Sequence, residues 1–175
     1  MIALLRGVTP VGKNRMPKMS YLVQVLQEAG LCNVQTYIQS GNVVFESNLA
    51  EDKIISFIHE TIKEKIGADL SVILKSAEQL EKSCSECPFP KNLDAFRIHL
   101  VFTNTPIDKI DKDKLQLLCN TDFGEKLFAS GTECLYMYLP KSASVKKLNT
   151  NFLEKKLGIT ATMRKLNVAE HLGRM

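Results

Sequence analysis

The stretch from Val34 to Ser47, VQTYIQSGNVVFES, constrains the fold more than any other part of the chain. Two runs rich in β-branched and aromatic residues flank Ser40-Gly41-Asn42, and Gly41 can adopt a positive φ without a clash at Cβ. This pattern predicts a β-hairpin. The stretch from Lys126 to Pro140, KLFASGTECLYMYLP, repeats the arrangement around Ser130-Gly131-Thr132, which predicts a second hairpin.

Similar elements surround the first hairpin on both sides. The apolar run Met1 to Arg6 predicts a central strand, and apolar residues at helical spacing predict a helix from about Pro17 to Gly30. After the hairpin, isoleucines recur every four residues from Ile54 to Ile66. They predict a helix that Asn48 and Glu51 cap and Gly67 ends, and a strand is expected at 70–75.

The second half of the chain shows the same order of elements. The expected elements are a strand at 96–102 with one apolar face, a helix at 107–119, the second hairpin, a helix starting at Ser142 or Ser144 and running through Val145 to Leu157 before Gly158, a strand at 159–164 and a short helix at 167–172. Each half therefore reads as strand, helix, two strands, helix, strand.

The glycine spacing indicates that one pattern occurs twice. Gly41 precedes Gly67 by 26 residues, and Gly131 precedes Gly158 by 27 residues, with a helix expected in each interval. The predicted fold is α+β, a tandem duplication of two ferredoxin-like βαββαβ units. We expect a first half at 1–75, a junction at 76–93 and a second half at 94–175, with a cleft where the halves meet.

Composition and cysteine usage favour a cytoplasmic protein without a metal or cofactor. No apolar run approaches the roughly 20 residues that span a bilayer, and no signal peptide is recognised, so no membrane partner is expected. The five cysteines are odd in number, which suits a reducing compartment. Cys84-Ser-Glu-Cys87 is a lone CxxC without the two further ligands that a zinc site needs, which favours reduced structural cysteines.

Positive charge is concentrated near the end of the chain. The formal net charge is +4, but residues 141–175 alone carry +6. This pattern indicates either a surface for an anionic partner or lysines on a solvated helix face.

The segment Gly7 to Asn14, GVTPVGKN, fits the spacing GxxxxGK of a phosphate-binding loop between a strand and a helix. A true P-loop continues with Ser or Thr to hold Mg²⁺, whereas Asn14 stands there, and no Walker B strand follows. Nucleotide hydrolysis is therefore rejected. A glycine loop with Lys13 and Arg15 that holds an anion remains, beside the alternative of a plain strand-to-helix connection.

A ferredoxin-like sheet also invites comparison with RNA-recognition motifs, which stack bases on strand aromatics. The corresponding positions of the first hairpin hold Asn42, Val44 and Ser47, none of them aromatic. In the second half Tyr136 and Tyr138 share one face, expected beside Arg97 and His99. They form either a stacking surface or the contact between the halves.

Catalytic machinery is not recognisable in the sequence. The three histidines are isolated from one another, and neither HExxH nor a nucleophile elbow is present. Whether the protein is an enzyme stays open at this level.

Three segments together resemble the bacterial family known as domain of unknown function 1697: Leu4-Leu5-Arg6-Gly7 with Gly12-Lys13-Asn14, the hairpin TYIQSGNVVF, and Ala161-Thr162-Met163-Arg164. The resemblance extends over essentially the whole chain and implies a duplicated ferredoxin-like fold, without an established activity. The family pattern continues after the late arginine with Asn-Trp, where this chain has Lys165-Leu166-Asn167. The polar residues at the motif positions are the candidate ligand-binding residues: Arg6, Lys13, Ser40, Asn42 and Arg164.

These observations favour a non-catalytic module that binds an anionic ligand, either nucleic acid or a phosphorylated metabolite, between its halves. A small enzyme acting on a phosphorylated or acidic substrate is the first alternative, and it needs a titratable group such as His99 or Glu46 with a perturbed pKa. A dimerisation or regulatory domain is the second alternative, and it predicts an exposed apolar sheet face. A homodimer is compatible with all three.

Overall fold

The structure is a computed structural model of the 175-residue chain, and it describes residues 1–143 and 147–175. The chain divides into two compact units, one formed by residues 1–77 with Met175 and the other by residues 78–174.

The first unit contains four strands and two helices among its described elements. In chain order they are β1 (Ile2–Arg6), α1 (Met19–Glu28), β2 (Cys32–Thr36), β3 (Asn42–Glu46), α2 (Glu51–Ile66) and β4 (Ser71–Lys75). The sheet order is β2-β3-β1-β4, and all neighbouring strands are antiparallel. Alternate residues of β1 and β3, among them Leu5 and Phe45, enter the core between the sheet and the helices, as the two-residue period of a strand requires.

Helix α2 forms because its isoleucines fall on one side. Ile54, Ile58 and Ile62 are at most 1% exposed in the core, and Gly67 ends the helix in the left-handed conformation at φ 82°. The predicted capping box is wrong. Ala50 occupies the N-cap position, and no side chain caps the helix there, because the chain enters α2 two residues beyond Asn48.

The second unit repeats the order of strands. Its elements are α3 (Ala77–Ser85), β5 (Ile98–Thr103), α4 (Lys112–Cys119), β6 (Leu127–Ser130), β7 (Leu135–Tyr138), α5 (Thr150–Leu157), β8 (Ala161–Lys165) and α6 (Leu166–Gly173), with single 3₁₀ turns at 95–97 and 107–109. The sheet order β6-β7-β5-β8 is again antiparallel throughout. Both units therefore have the ferredoxin-like topology, and the predicted α+β duplication is confirmed.

Several predicted boundaries in the second unit are wrong. Phe96 lies in a 3₁₀ turn and is 64% exposed, because Asp94 accepts a hydrogen bond from the Phe96 backbone N–H and starts that turn. Helix α4 starts after Asp111, whose carboxylate accepts from the Lys114 N–H. Helix α5 starts after Asn149, which accepts from the Phe152 N–H, rather than at Ser142.

The predicted start of α5 at Ser144 and the predicted helical residue Val145 lie outside the described residues. The prediction that β5 buries one face is also incomplete, since all six residues of the strand are buried.

The two hairpin glycines have different structural roles. Gly41 has φ +75°, and a Cβ there would lie 2.8 Å from Leu5 Cβ. Gly131 is not in the left-handed region, but a Cβ there would lie 2.5 Å from Tyr136 Cε2. The first glycine is required for backbone conformation and space, and the second for space alone.

Every helix in the described part of the chain is too short or too polar to cross a bilayer.

Candidate functional site

Three connections of the first unit meet at one end of its sheet. Strand β1 ends there at Arg6, which pairs with Ser71 at the start of β4. The first hairpin turn lies at the same end, because the Leu5 N–H donates to the Gly41 carbonyl at 2.8 Å. We call this region, formed by loop 7–18, turn 37–41 and loop 67–70, the loop end of the first sheet.

Asn42 and Ser40 stabilise the hairpin turn. The Asn42 amide nitrogen donates to the Tyr37 carbonyl at 2.9 Å and to Ser40 Oγ at 2.8 Å. Asn42 is fully buried, whereas Ser40 is half-buried. These contacts give Ser40 and Asn42 a structural role in the turn. Their role in ligand binding stays a prediction.

Loop 7–18 is held in one conformation by its own backbone and by Asn14. The Arg15 N–H donates to the Gly12 carbonyl at 3.1 Å, and the Thr9 N–H donates to the Asn14 carbonyl at 3.1 Å. The Asn14 side chain donates to the Asp69 carbonyl and accepts from the Asp69 N–H. Asn14, which stands where a P-loop has its Mg²⁺-binding Ser or Thr, therefore connects this loop to Asp69, just before β4.

A cleft of about 360 Å³ opens beside this loop. Arg15 lines it from the loop, Tyr21 from α1, and Lys65 from the last turn of α2. All three side chains are exposed. The Lys65 ammonium lies 3.1 Å from the carboxylate of its neighbour Glu64, an exposed pair that contributes little. Two cations and a phenol from separate elements thus face one concave surface.

Lys13 lies on the same loop, two residues before Arg15, and is exposed. Arg6, Ser40 and Asn42 lie at the loop end of the first sheet. The structure therefore brings four of the five predicted ligand-binding residues to one end of the first unit. The sequence did not identify Lys65 as a candidate ligand-binding residue. Lysines are common in the last turn of helices, where they interact favourably with the helix dipole, so its position does not by itself indicate a binding site.

Arg164, the fifth predicted residue, lies on β8 of the second unit and is 7% exposed. Its Nη1 donates to Thr162 Oγ1 and to the Met163 carbonyl, each at 2.8 Å. Burial lowers the pKa of the guanidinium to about 10. Its role in ligand binding stays a prediction.

His99, the histidine of the enzymatic alternative, is 8% exposed and pairs in register with Met137 and Lys165. Burial lowers its pKa, with a smaller contribution from Arg97 and Lys165, while the hydrogen bond from Nδ1 to the Arg97 carbonyl at 3.0 Å opposes the shift. His99 does not line the cleft of Arg15, Tyr21 and Lys65.

The second alternative, a dimerisation domain, predicts an exposed apolar sheet face. In the first unit the sheet face opposite the helices carries Ile2, Leu4 and Ile73, and each of them is at most 2% exposed. The dimerisation alternative stays a prediction.

The predicted stacking surface of tyrosines is only partly present. Tyr136 and Tyr138 share a face of β7, but Tyr136 is fully buried, with its hydroxyl donating to the Ser83 carbonyl at 2.7 Å. His99 lies on the opposite face, since it pairs with Met137. The Arg97 Nε donates to the Leu139 carbonyl at 2.7 Å. Tyr136 is thus a core residue and does not present its ring to a base.

Cys84, the first cysteine of the CxxC motif, is half-buried. Burial, with a smaller contribution from Glu170, raises the pKa of Cys84 to about 12, so its nucleophilic thiolate is disfavoured. Within residues 1–143 and 147–175, no group of three or more His, Cys, Asp or Glu side chains is arranged to hold a metal ion.

Comparison with known proteins agrees with the fold. A family model described as "Protein of unknown function (DUF1697)" matches residues 1–136. The chain is similar to the solved structure of a conserved bacterial protein from Streptococcus pneumoniae, with a TM-score of 0.74 and 20% sequence identity, covering 99% of this chain and 96% of that one. Similarity at this identity shows the fold alone. None of the curated proteins matches the chain.

Proposed function

The chain belongs to the DUF1697 family of proteins of unknown function, and from its own side chains we propose that it is a non-catalytic module. The proposed ligand is a small anion such as a phosphorylated metabolite. The proposed ligand-binding element is loop 7–18 with the adjoining cleft. Lys13, Arg15 and Lys65 supply the positive charge.

One observation carries this proposal: Arg15 and Lys65, which lie 50 positions apart in the sequence, line the same 360 Å³ cleft. A guanidinium donates two parallel hydrogen bonds to a phosphate or carboxylate, and an ammonium adds a mobile point charge. The Tyr21 ring in the same cleft offers a surface for the non-phosphate part of a metabolite. A cleft of this size lies within the lower range of small-molecule sites.

The ordering of the loop supports the proposal further. Asn14 fixes the loop to Asp69, so the position of Arg15 is set before a ligand arrives. A preorganised cation loses less conformational entropy on binding than a side chain on a mobile loop. Asn14 lacks the hydroxyl that holds Mg²⁺ in a P-loop. The proposed binding of phosphate by this fixed loop does not require Mg²⁺.

The test is a titration of ¹⁵N-labelled protein with sodium pyrophosphate, followed through the backbone amide signals of residues 7–18. We expect saturable shifts in these signals. Arg15→Gln and Lys65→Gln should each weaken binding by about threefold or more, because each removes one partly screened charge contact. Lys53→Gln is the matched control, since Lys53 is exposed on the same helix near its other end. Equal affinities in all variants would contradict the proposal.

A second arm separates a metabolite from nucleic acid. Fluorescein-labelled oligothymidylate is titrated at two salt concentrations, because nucleic-acid binding releases counterions and weakens steeply as salt rises. Pyrophosphate binding with weak or salt-insensitive oligonucleotide binding supports a small ligand. Tight oligonucleotide binding with a steep salt dependence, which Arg15→Gln and Lys65→Gln reduce, assigns the cleft to nucleic acid.

A further inference from the structure

A second cavity lies in the second unit and does not include any residue of the proposed ligand cleft. It has a volume of about 810 Å³ and opens between α4, the loop 121–124 and α5. We call it the α4–α5 cavity. Its volume falls within the range of sites for drug-sized molecules.

The inner surface of the α4–α5 cavity is apolar. Leu118 and Phe123 are 5% exposed, and the Phe123 and Phe152 rings meet edge to face with centroids 6.0 Å apart. Leu117 also lines the cavity and is 69% exposed. An exposed leucine beside a concave aromatic surface leaves apolar area in water that a ligand could cover.

The rim of the α4–α5 cavity is positively charged. Lys114 contributes from α4, Lys156 from α5, and Lys147 from the chain before α5, and all three are exposed. The Lys156 ammonium lies 5.8 Å from the centroid of the Phe152 ring, at the border between the charged rim and the apolar surface. Asp122 is the acidic residue of the lining, and its carboxylate accepts the Gly124 N–H at 2.7 Å.

Lys147 and Lys156 belong to the basic segment 141–175, whose charge the sequence analysis interpreted either as a surface for an anionic partner or as a solvated helix face. The structure places both of them at the rim of this cavity. They stand there with Lys114, which comes from a segment outside that basic part of the chain.

We propose that the α4–α5 cavity binds an anionic amphiphile, a molecule with one apolar body and a single anionic head group. The apolar body covers Leu117 and the Phe123–Phe152 pair, and the head group lies among the three lysines. Charge complementarity excludes cationic occupants, and the apolar surface disfavours a fully hydrated anion such as inorganic phosphate.

The proposal is tested with 8-anilinonaphthalene-1-sulfonate, a fluorescent anionic amphiphile, added to the full folded chain. We expect saturable fluorescence enhancement that decanoate reverses, with 1-decanol at least about fivefold less effective because it lacks the charge. Decyl phosphate as a further competitor distinguishes a phosphate from a carboxylate head. Equal competition by 1-decanol and decanoate would overturn the assignment of an anionic head.

Matched variants locate the binding. Leu117→Ser should weaken dye binding by about fivefold, and Lys114→Gln and Lys156→Gln by about two- to fivefold each. The controls are Phe96→Ser, at a position 64% exposed, and Lys112→Gln and Lys155→Gln, which lie on the same two helices outside the lining. Circular dichroism checks that each variant is folded.

Affinities that are the same in the lining and control variants, or fluorescence that does not saturate, would overturn the proposal. The pyrophosphate titration of loop 7–18 reports on a different set of residues. Failure of one experiment therefore leaves the other interpretable.

Discussion

Asn14 and Asp69, 55 positions apart in the sequence, are joined by two hydrogen bonds between the Asn14 side chain and the Asp69 backbone. The amide nitrogen donates at 3.2 Å and the amide oxygen accepts at 3.1 Å. One side chain thus satisfies both backbone groups of a residue just before β4. The pair joins the glycine loop, which supplies Arg15 to the cleft, to the segment between β4 and α2, the helix that supplies Lys65.

Replacing Asn14 should loosen that connection. Asn14→Ala removes both hydrogen bonds, and we expect the free energy of unfolding to fall by about 1 kcal/mol, because the contacts are exposed to solvent. Hydrogen exchange at the Asp69 amide should accelerate. Asn92→Ala, at an exposed position in the second unit, is the control and should leave that amide unchanged. An unaltered Asp69 exchange rate in Asn14→Ala would show that the two hydrogen bonds do not hold the loop.

The first hairpin should depend on glycine more strongly than the loop does. Gly12 and Gly41 both have positive φ, but a Cβ at Gly12 meets no atom within 4 Å, while at Gly41 it lies 2.8 Å from Leu5 Cβ. Gly12→Ala should cost about 1 kcal/mol for the left-handed backbone. Gly41→Ala should cost about 1–3 kcal/mol more because a buried side chain must move. Denaturant unfolding measures both, and equal costs would contradict the steric argument.

The hydroxyl of Tyr136 should stabilise the second unit. Tyr136→Phe keeps the ring and its edge-to-face contact with Phe89, at 6.4 Å between centroids, but leaves the Ser83 carbonyl without this donor. We expect a loss of about 1–2 kcal/mol in the free energy of unfolding. Tyr138→Phe makes the same change two residues on at a half-buried position and should cost less than about 0.5 kcal/mol. A similar cost at the two positions would argue against a specific role of the buried bond.

His99 should make the protein less stable as the pH falls. Burial lowers the pKa of the folded-state ring below its usual 6.5, so the unfolded chain takes up the proton first. The stability that the neutral ring contributes is present above pH 6.5 and is lost as the pH falls toward the folded pKa. Urea unfolding between pH 7.5 and 5 should show a smaller decrease for His99→Gln than for the unsubstituted protein. A ring that titrates at or above 6.5 in an NMR titration would contradict the expectation.

The order of elements was predictable because local spacing determines it. Isoleucines four residues apart identify α2, and glycines that follow apolar helices mark ends that the structure confirms at Gly67 and Gly158. Helix starts were less predictable. Several polar residues near each start could cap the helix, and the structure has Asn149 as the capping residue of α5 and Ala50, without a capping side chain, at the start of α2.

The candidate sites were less predictable than the fold. The sequence identified Lys13 and Arg15 through the glycine spacing, but nothing local links Arg15 to Lys65, which approach only when loop 7–18 lies beside the end of α2. The α4–α5 cavity depends in the same way on packing between segments. The burial of Tyr136 also could not be predicted from the sequence. The alternation of residues along β7 shows which residues share a face, but it does not show which other segment covers that face.

Gly41 and Gly131 lie at equivalent hairpin turns of the two halves, but different neighbouring atoms restrict them. At Gly41 the backbone has φ +75°, a left-handed conformation that residues with a Cβ adopt only at a cost, so a replacement there is strained whatever the space. At Gly131 a Cβ would meet both the Tyr136 ring and the Cys134 carbonyl oxygen, the latter at 3.0 Å, so a smaller side chain at 136 would relieve only part of the clash. Two copies of one fold can therefore have the same residue at the same turn for different physical reasons, backbone conformation and space at Gly41 and space alone at Gly131.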